Sequence, residues 1–126
     1  MAVHPRGIVD RLFEQLEAEY FDFTVTVSDR EDDERWVQLR GNAINLPYPH
    51  QDAPERVLPP LDLFGELSWS VADWEAGRYL TVDWGPADAG AEPVDERGAL
   101  AEVLGRVLDS YLGLPADSDR WVVAEQ

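Results

Sequence analysis

The spacing of apolar residues changes twice along this chain, and this change limits the folds that the chain can form. Over residues 6–20 the apolar side chains recur every three or four positions, which predicts an amphipathic helix. Over residues 21–27 they alternate with polar ones, which is typical of a strand buried on one face. Over residues 97–112 the helical spacing returns, with Asp95 before it and Gly113 after it. The pattern predicts two helices around a β-rich middle.

The middle of the chain contains further segments with the composition of strands, at residues 35–40, 43–46, 66–71 and 78–84. The turns at residues 28–34 and 72–77 are too short for the crossovers that parallel pairing requires, so we expect antiparallel pairs. Residues 47–60 hold five prolines and predict a long loop, followed by a helical turn at residues 61–65. Another loop is expected at residues 85–92.

These elements predict an α+β fold, in which N-terminal and C-terminal helices pack on an antiparallel sheet of about five strands. A chain of 126 residues is close to the usual size of one domain, so we expect a single domain over residues 1–126. The tail after residue 116 includes Trp121 and is expected to dock on this domain.

The chain is strongly acidic. Ten basic residues, all of them arginine, stand against 26 acidic ones and give a net charge of −16. Such a charge repels nucleic-acid phosphates and anionic membranes, and it attracts basic protein surfaces. Solubility, or a salty cytoplasm that screens like charges, explains the same excess equally well. We therefore expect no nucleic-acid or membrane partner, and a basic protein partner stays one of two explanations.

Composition also bears on the cellular location. The hydrophobic fraction of 44% is too high for a disordered chain. Residues 1–10 hold no apolar run of signal-peptide length, and no stretch approaches 18 apolar residues. Cysteine is absent, which removes disulfides and thiolate chemistry. We expect a soluble, cytoplasmic protein.

Motifs for catalysis or metal binding are missing. His4 and His50 are the only histidines, they lack ligand spacing, and we expect both to be solvated. The acidic turn at residues 29–34 lacks the glycine and the spacing of a calcium loop, so a solvated hairpin tip explains it better. Ser68 and Ser70 have no adjacent base. We expect no catalytic residue, metal or cofactor, and an enzyme using carboxylates alone stays an alternative.

The five tryptophans are the best candidates for a binding surface. Trp36 falls on the opposite face of its strand from Val37 and Leu39, and Trp74 lies in a predicted turn where burial is difficult. An exposed aromatic ring can anchor an apolar peptide side chain within a polar rim. The candidate peptide-binding residues are Trp36, Gln38, Arg40, Trp69, Trp74 and Trp84. The alternative is that the tryptophans only fill the core.

Several short patterns are shared with a bacterial family. They are Trp-Val-Gln at residues 36–38, Leu-Ser-Trp-Ser at 67–70, Arg-Tyr-Leu-Thr-Val-Asp-Trp at 78–84 and the closing helix at 99–114. On these residues the chain resembles the type III secretion chaperone-like, or YbjN-like, small acidic proteins. Ser68 stands where that family usually has glycine, and its usual proline after the tryptophan and asparagine before the next strand are absent. The resemblance implies a non-catalytic helix–sheet–helix domain that binds peptides and often dimerises.

Two functions agree with these features. The first is a non-enzymatic protein- or peptide-binding, chaperone-like module of a bacterial cytoplasm, in which a partner segment adds to a sheet edge. The second is an immunity or antitoxin protein that neutralises a basic partner with its acidic surface. A homodimer requires in addition an apolar strip on the last helix or along a sheet edge.

Overall fold

Helices and strands both occur in the computed structural model, which describes residues 4–19, 22–65, 67–85 and 96–125. The helices are α1 (Pro5–Glu17), the single turn α2 (Pro54–Val57) and α3 (Glu96–Arg106), with a 3₁₀ turn at Pro59–Leu61 and a π-helical turn at Val107–Tyr111. The strands are β1 (Thr24–Asp29), β2 (Asp32–Arg40), β3 (Ala43–Tyr48), β4 (Ser68–Glu75), β5 (Arg78–Gly85) and β6 (Trp121–Glu125).

The six strands form one antiparallel sheet in the order β4-β5-β3-β2-β1-β6. Helices α1 and α3 pack against each other and against one face of the sheet. The predicted α+β class, with an N-terminal and a C-terminal helix on an antiparallel sheet, is confirmed. The predicted number of about five strands is too low by one, because the tail forms β6.

Trp121 explains why the tail joins the sheet. Its side chain is buried, and its indole N–H donates a hydrogen bond to the carbonyl of Pro115 at 2.8 Å. β6 then pairs with β1 along its whole length. Val122 and Val123, which follow, are both exposed, so β6 has no alternating pattern of burial. Apolar spacing could not predict such an edge strand, because only its first residue is buried.

Alternation divides the remaining strands between a face covered by the helices and an open face. The covered face buries Val25, Val27, Val37, Leu39, Ile44, Leu46, Tyr48, Leu80, Val82 and Trp84. The helices add Ile8, Val9, Leu12, Leu100, Val103 and Leu104 to the same core. Burial of these side chains supplies the main driving force for the fold.

A row of polar side chains crosses the open face and fixes the register of four strands. Asn45 on β3 is at its centre and donates to Gln38 Oε1 at 3.0 Å. Gln38 donates to Thr26 Oγ1 at 3.2 Å, and Thr81 Oγ1 donates to Asn45 Oδ1 at 2.7 Å. These four residues are direct register partners, so a slip of one position would break every bond in the row.

Several predicted boundaries are wrong. β4 continues through most of the predicted turn, because Trp74 packs edge-on against Tyr48 with ring centroids 5.7 Å apart. The turn that remains is short and places Gly77 at φ +74°, a conformation that favours glycine. The acidic turn likewise shortens to Arg30 and Glu31, because β2 begins at Asp32.

The predicted proline loop at residues 47–60 is only partly a loop, since it includes the end of β3, α2 and most of the 3₁₀ turn. The predicted helical turn at residues 61–65 is displaced, and the 3₁₀ turn ends at residue 61. Predictions for Tyr20, Phe21, Asp95 and most of the loop at residues 85–92 lie outside the described residues.

Candidate functional site

A cleft opens at one end of the sheet, where β2 and β3 stop pairing. Residues 38–40 of β2 pair with residues 43–45 of β3, and the register pairs between these strands end there. Beyond that point Val37 and Trp36 of β2 stay paired with β1, whereas β3 stays paired with β5 as far as Tyr48. The sheet therefore splits into two halves, and the space between them is the β2–β3 cleft.

Pro47 explains why the ladder ends. Proline has no N–H to donate to a neighbouring strand. The carbonyl oxygen of Pro47 accepts a hydrogen bond from the Tyr111 hydroxyl, with 2.6 Å between the two oxygens. The next rung toward β2 therefore lacks a donor on β3, and its acceptor is already engaged. Beside the cleft, this edge of β2 has no strand partner among the residues that the structure describes.

The end of the last helix is attached to both sides of the cleft. Arg35 of β2 donates from Nε to the carbonyl of Leu112 at 2.8 Å, and Tyr111 holds Pro47 of β3. In this region the helix changes to a π-helical turn, in which the Leu112 N–H donates to the Val107 carbonyl at 2.8 Å. Such turns are rare and occur frequently at functional sites.

The cleft has a volume of about 690 Å³, which is within the range of sites that hold small ligands or peptide side chains. Residues 32–36 line one side and residues 47–50 line the other, with Tyr111 and Leu112 between them. The site is therefore built from three elements that are distant in the sequence.

Aromatic rings form one wall of the cleft. Tyr48 lies at the centre, with its ring centroid 5.2 Å from that of His50 and 5.7 Å from that of Trp74. The His50 ring is in turn 6.3 Å from that of Tyr111. Burial raises the pKa of both Tyr48 and Tyr111, and each hydroxyl donates to a backbone carbonyl. Both phenols are therefore neutral and already hydrogen-bonded at neutral pH.

The opposite rim is acidic. Asp33 and Glu34 are exposed, and neither carboxylate forms an ion pair with any residue that the structure describes. Asp32 differs, because its carboxylate accepts from Arg35 Nη1 at 2.9 Å. Residues 33–35 have no register partner on β1, so β2 bulges where it passes the cleft. Bulges of this kind are common beside functional sites, because they redirect side chains.

Asp29 anchors the base of this rim. Its buried carboxylate accepts from Arg120 Nη2 at 2.5 Å and from Arg35 Nη1 at 3.4 Å. Burial by itself would raise the pKa of Asp29, but the Glu31 N–H and the two guanidinium groups outweigh it, so the pKa is lowered. The charged Asp29 thus connects β1, β2 and the segment before β6.

Three of the predicted binding residues share the open face, as the alternation predicts. Trp36 is half-buried and lines the β2–β3 cleft. Gln38 is a member of the polar row across the sheet, and Arg40 donates to Asp22 Oδ1 at 2.7 Å. Of these three residues, only Trp36 is placed to contact a molecule in the cleft.

The other three predicted binding residues belong to the covered side of the sheet. Trp84 is buried, 6.2 Å from the Phe13 ring, and Trp69 stacks on Phe64 at 5.1 Å. Trp74 packs on Tyr48 rather than projecting from a turn. The six residues therefore do not form one surface, because Trp84 follows Leu80 and Val82 in the inward alternation of β5 and Trp69 is its register partner.

Several residues of the cleft were not predicted from the sequence. His50 was expected to be solvated, but it is half-buried between Tyr48 and Tyr111, whereas His4 is exposed as expected. The acidic turn is also not wholly solvated, because Asp29 is buried. The one sequence feature that indicates the cleft is Pro47, which directly follows a strand-like segment, because proline interrupts the hydrogen bonds between strands.

Comparisons with protein-family models, with curated proteins and with solved structures find no match for this chain. The resemblance to secretion chaperone-like proteins therefore stays a prediction. In the described ranges, no helix is long and apolar enough to cross a lipid bilayer. The same residues contain no group of three histidine or acidic side chains placed to hold a metal ion.

Proposed function

We propose that this protein is a non-enzymatic, chaperone-like module that binds an extended segment of a partner protein in the β2–β3 cleft. One observation carries the proposal: β2 lies inside the sheet order, yet its edge is free where it lines the cleft. Peptides commonly bind by adding a strand to a free edge, where backbone hydrogen bonds give affinity and side-chain pockets give selectivity.

The two sides of the cleft differ in their fitness for such pairing. On β3, Pro47 has no N–H and its carbonyl is bonded to Tyr111, so this edge offers a partner little. On β2 the Glu34 N–H already donates to Asp32 Oδ1 at 3.0 Å. Each hydrogen bond that the other backbone groups of this edge form with a partner contributes about 0.5–1.5 kcal/mol net. We therefore assign the incoming segment to the edge of β2. Its side chains would point alternately into the cleft and toward the open face of the sheet.

The cleft is formed before a partner arrives. Arg35 holds β2 and Tyr111 holds β3 to the same end of the last helix. A preformed site avoids the entropic cost of ordering its walls on binding. This rigidity supports a binding function for the cleft.

The proposed partner segment is basic. Asp33 and Glu34 at the rim have no ion-pair partner among the described residues, and the whole chain carries a net charge of −16. Such a field accelerates encounters with basic segments and rejects acidic ones. A bacterial cytoplasmic location belongs to the same proposal and rests on composition alone.

Binding fits the cleft better than catalysis does. The hydroxyls of Tyr48 and Tyr111 are donors to carbonyls, and their raised pKa keeps them protonated at neutral pH, so neither phenol is available to accept a proton as a general base. His50 is the imidazole of the cleft, and no serine lies with it among the described lining residues. Asp32, Asp33 and Glu34 also line the cleft, but no hydrogen bond between described residues joins their carboxylates to the His50 imidazole as a nucleophile–base pair would require.

The immunity-type function remains the second candidate. It uses the exposed acidic side chains beside the β1–β2 turn to cover a folded basic partner instead of holding an extended segment. The two candidates differ in the form of the partner. A folded basic protein that binds while its extended basic segments do not would favour the immunity-type function.

Strand addition can be tested with an extended, basic peptide of about seven residues. Three versions are compared by backbone NMR of the labelled protein: unmodified, and N-methylated on either one or the other set of alternate residues. A strand pairs through one edge, so we expect one methylated version to bind like the unmodified peptide and the other to lose binding.

The expected chemical-shift changes include residues 33–37 and 47–50, together with Tyr111. Equal binding by both methylated peptides would contradict strand addition. Shifts confined to β4 or β6 would place the binding elsewhere and reject the cleft. No binding by any version would reject the peptide-binding function itself.

A further inference from the structure

The rim of the β2–β3 cleft holds an aromatic ring and two carboxylates that no described residue uses. Trp36 is half-buried in the cleft, and its ring stacks on no described aromatic ring and lies under no described cation. Glu34 is two positions away on the same strand, and Asp33 lies next to it. Neither carboxylate has an ion-pair partner within the described part of the chain. An aromatic face and a carboxylate are the two groups that a single arginine side chain can bind together.

The chain itself twice completes this contact elsewhere. The guanidinium of Arg97 lies 5.1 Å from the centre of the Phe13 ring and pairs with Glu17 at 2.7 Å. The guanidinium of Arg11 lies 5.5 Å from the centre of the Phe23 ring and pairs with Glu125 at 3.2 Å. In both cases one arginine satisfies an aromatic face and a carboxylate together.

The two arginines that line the cleft, Arg35 and Arg78, do not form this contact with Trp36. Arg35 is committed to the Leu112 carbonyl and to the carboxylates of Asp29 and Asp32. Arg78 is paired with Glu75 at 3.4 Å on the other side of the cleft, and its side chain is 71% exposed. No described arginine of the chain lies over the Trp36 ring, so this ring is open to a cation from another molecule.

We propose that the β2–β3 cleft selects an arginine side chain of the bound segment, with the guanidinium on the Trp36 ring and paired with Glu34 or Asp33. This inference rests on the proposed function, because the peptide backbone brings the side chain to the rim. Arginine fits better than lysine, since a planar guanidinium stacks on an aromatic ring while its edge donates to a carboxylate.

The test compares two peptides that differ in one atom group. The first is the extended peptide of the strand-addition experiment with a single central arginine, and the second carries citrulline, which has the same shape without the charge. Affinities are measured by titration calorimetry at constant ionic strength. We expect the arginine peptide to bind about tenfold more tightly, as one stacked cation and one partly desolvated ion pair together provide.

Protein variants locate the preference. Trp36→Leu and Glu34→Gln should each lower the ratio between the two peptides to about threefold or less, whereas Trp36→Phe should keep most of it. Glu14→Gln is the matched control, because it removes one exposed charge from α1, far along the chain from the cleft, and should leave the ratio unchanged.

The outcomes separate this inference from the proposed function. Equal affinity for both peptides, with shifts still at the cleft, would overturn arginine selection and leave peptide binding in place. A preference that Glu14→Gln lowers as much as Glu34→Gln does would also overturn it, because only the total charge would then matter. Loss of binding by both peptides would reject the proposed function.

Discussion

At the scale of single residues, three side chains decide the shape of the site. Pro47 ends the ladder between β2 and β3 by lacking an N–H, and Tyr111 occupies its carbonyl. Asp29 anchors the base of the acidic rim through its buried carboxylate. Burial raises the pKa of this carboxylate, but two arginines and a backbone N–H lower it by more, so the group is charged. Each of these contributions depends on the identity of one functional group.

Asp29 makes stability depend on pH. Its pKa is lowered in the folded protein, so its contribution is fully present above the unfolded value of about 4 and is lost as the pH falls below that value. Asp29→Asn should therefore lower the melting temperature at pH 7, and the difference from the native protein should shrink below about pH 4.

Thermal unfolding at a series of pH values measures this effect. Asp109→Asn, at an exposed carboxylate, is the control and should change the melting temperature little at any pH. A deficit for Asp29→Asn that stays constant from pH 7 to pH 3 would contradict the role of the charge.

At the scale of elements, the cleft is a consequence of strands that belong to different halves of one sheet. β2 stays with β1 and β3 stays with β5, while the end of the last helix is bonded to both through Arg35 and Tyr111. The arrangement is stable because the polar row on the open face locks the paired part of β2 and β3. The free edge is therefore a built feature of the sheet.

Pro47→Val tests the origin of the cleft. The new N–H allows the β2–β3 ladder to extend, so peptide affinity should fall while amide protection at the end of β3 rises. The free energy of unfolding should change by less than about 1 kcal/mol, because the added hydrogen bond offsets the greater entropy of the unfolded chain.

Pro49→Val is the matched control for Pro47→Val, since Pro49 lines the same cleft but lies after the last residue of β3. Hydrogen exchange and peptide titration should find this variant close to the native protein. If both variants lower peptide affinity equally, the ladder is not what sets the width of the cleft.

At the scale of the whole molecule, the two edges of the sheet are protected to different degrees. β4 carries a bulge between Val71 and Asp73 together with acidic side chains, and such features discourage pairing with another strand. β6 shows no bulge and exposes Val122 by 44% and Val123 by 45%. The predicted homodimer would therefore form along β6.

A single cysteine can detect this homodimer, because the natural chain has none. Two β6 strands that pair antiparallel about Val123 bring the two copies of that residue together. Val123→Cys should thus form a disulfide-linked dimer, and more of it at about 0.5 M salt, where screening weakens the repulsion between two chains of charge −16.

Ser110→Cys, at an exposed position on the π-helical turn, is the control for accidental collision. Equal cross-linking at both positions would remove β6 as the interface. A monomer by light scattering at both salt concentrations would remove the homodimer itself.

Local spacing along the chain was sufficient for much of the fold. Helical periodicity placed α1 and α3, and alternation placed β1, β2 and β5, because each depends on one face meeting a common core. Strand-like composition after Gly41 and Asn42 placed β3. The length of β4 was missed because the half-buried Trp74 packs against Tyr48, which is a contact between distant segments. The sixth strand was missed because its one buried residue, Trp121, creates no pattern.

The sequence by itself thus determined the charge and the lack of cysteine, which follow from composition. It also determined the architecture of two helices and an antiparallel sheet, which follows from neighbours within a few residues. The β2–β3 cleft was decided by the tertiary structure alone. Its ring cluster, its free edge and the unused groups beside Trp36 come from segments that are up to about eighty residues apart. Spacing along a chain carries no information about which of these segments will meet, because their contact depends on how the whole core packs.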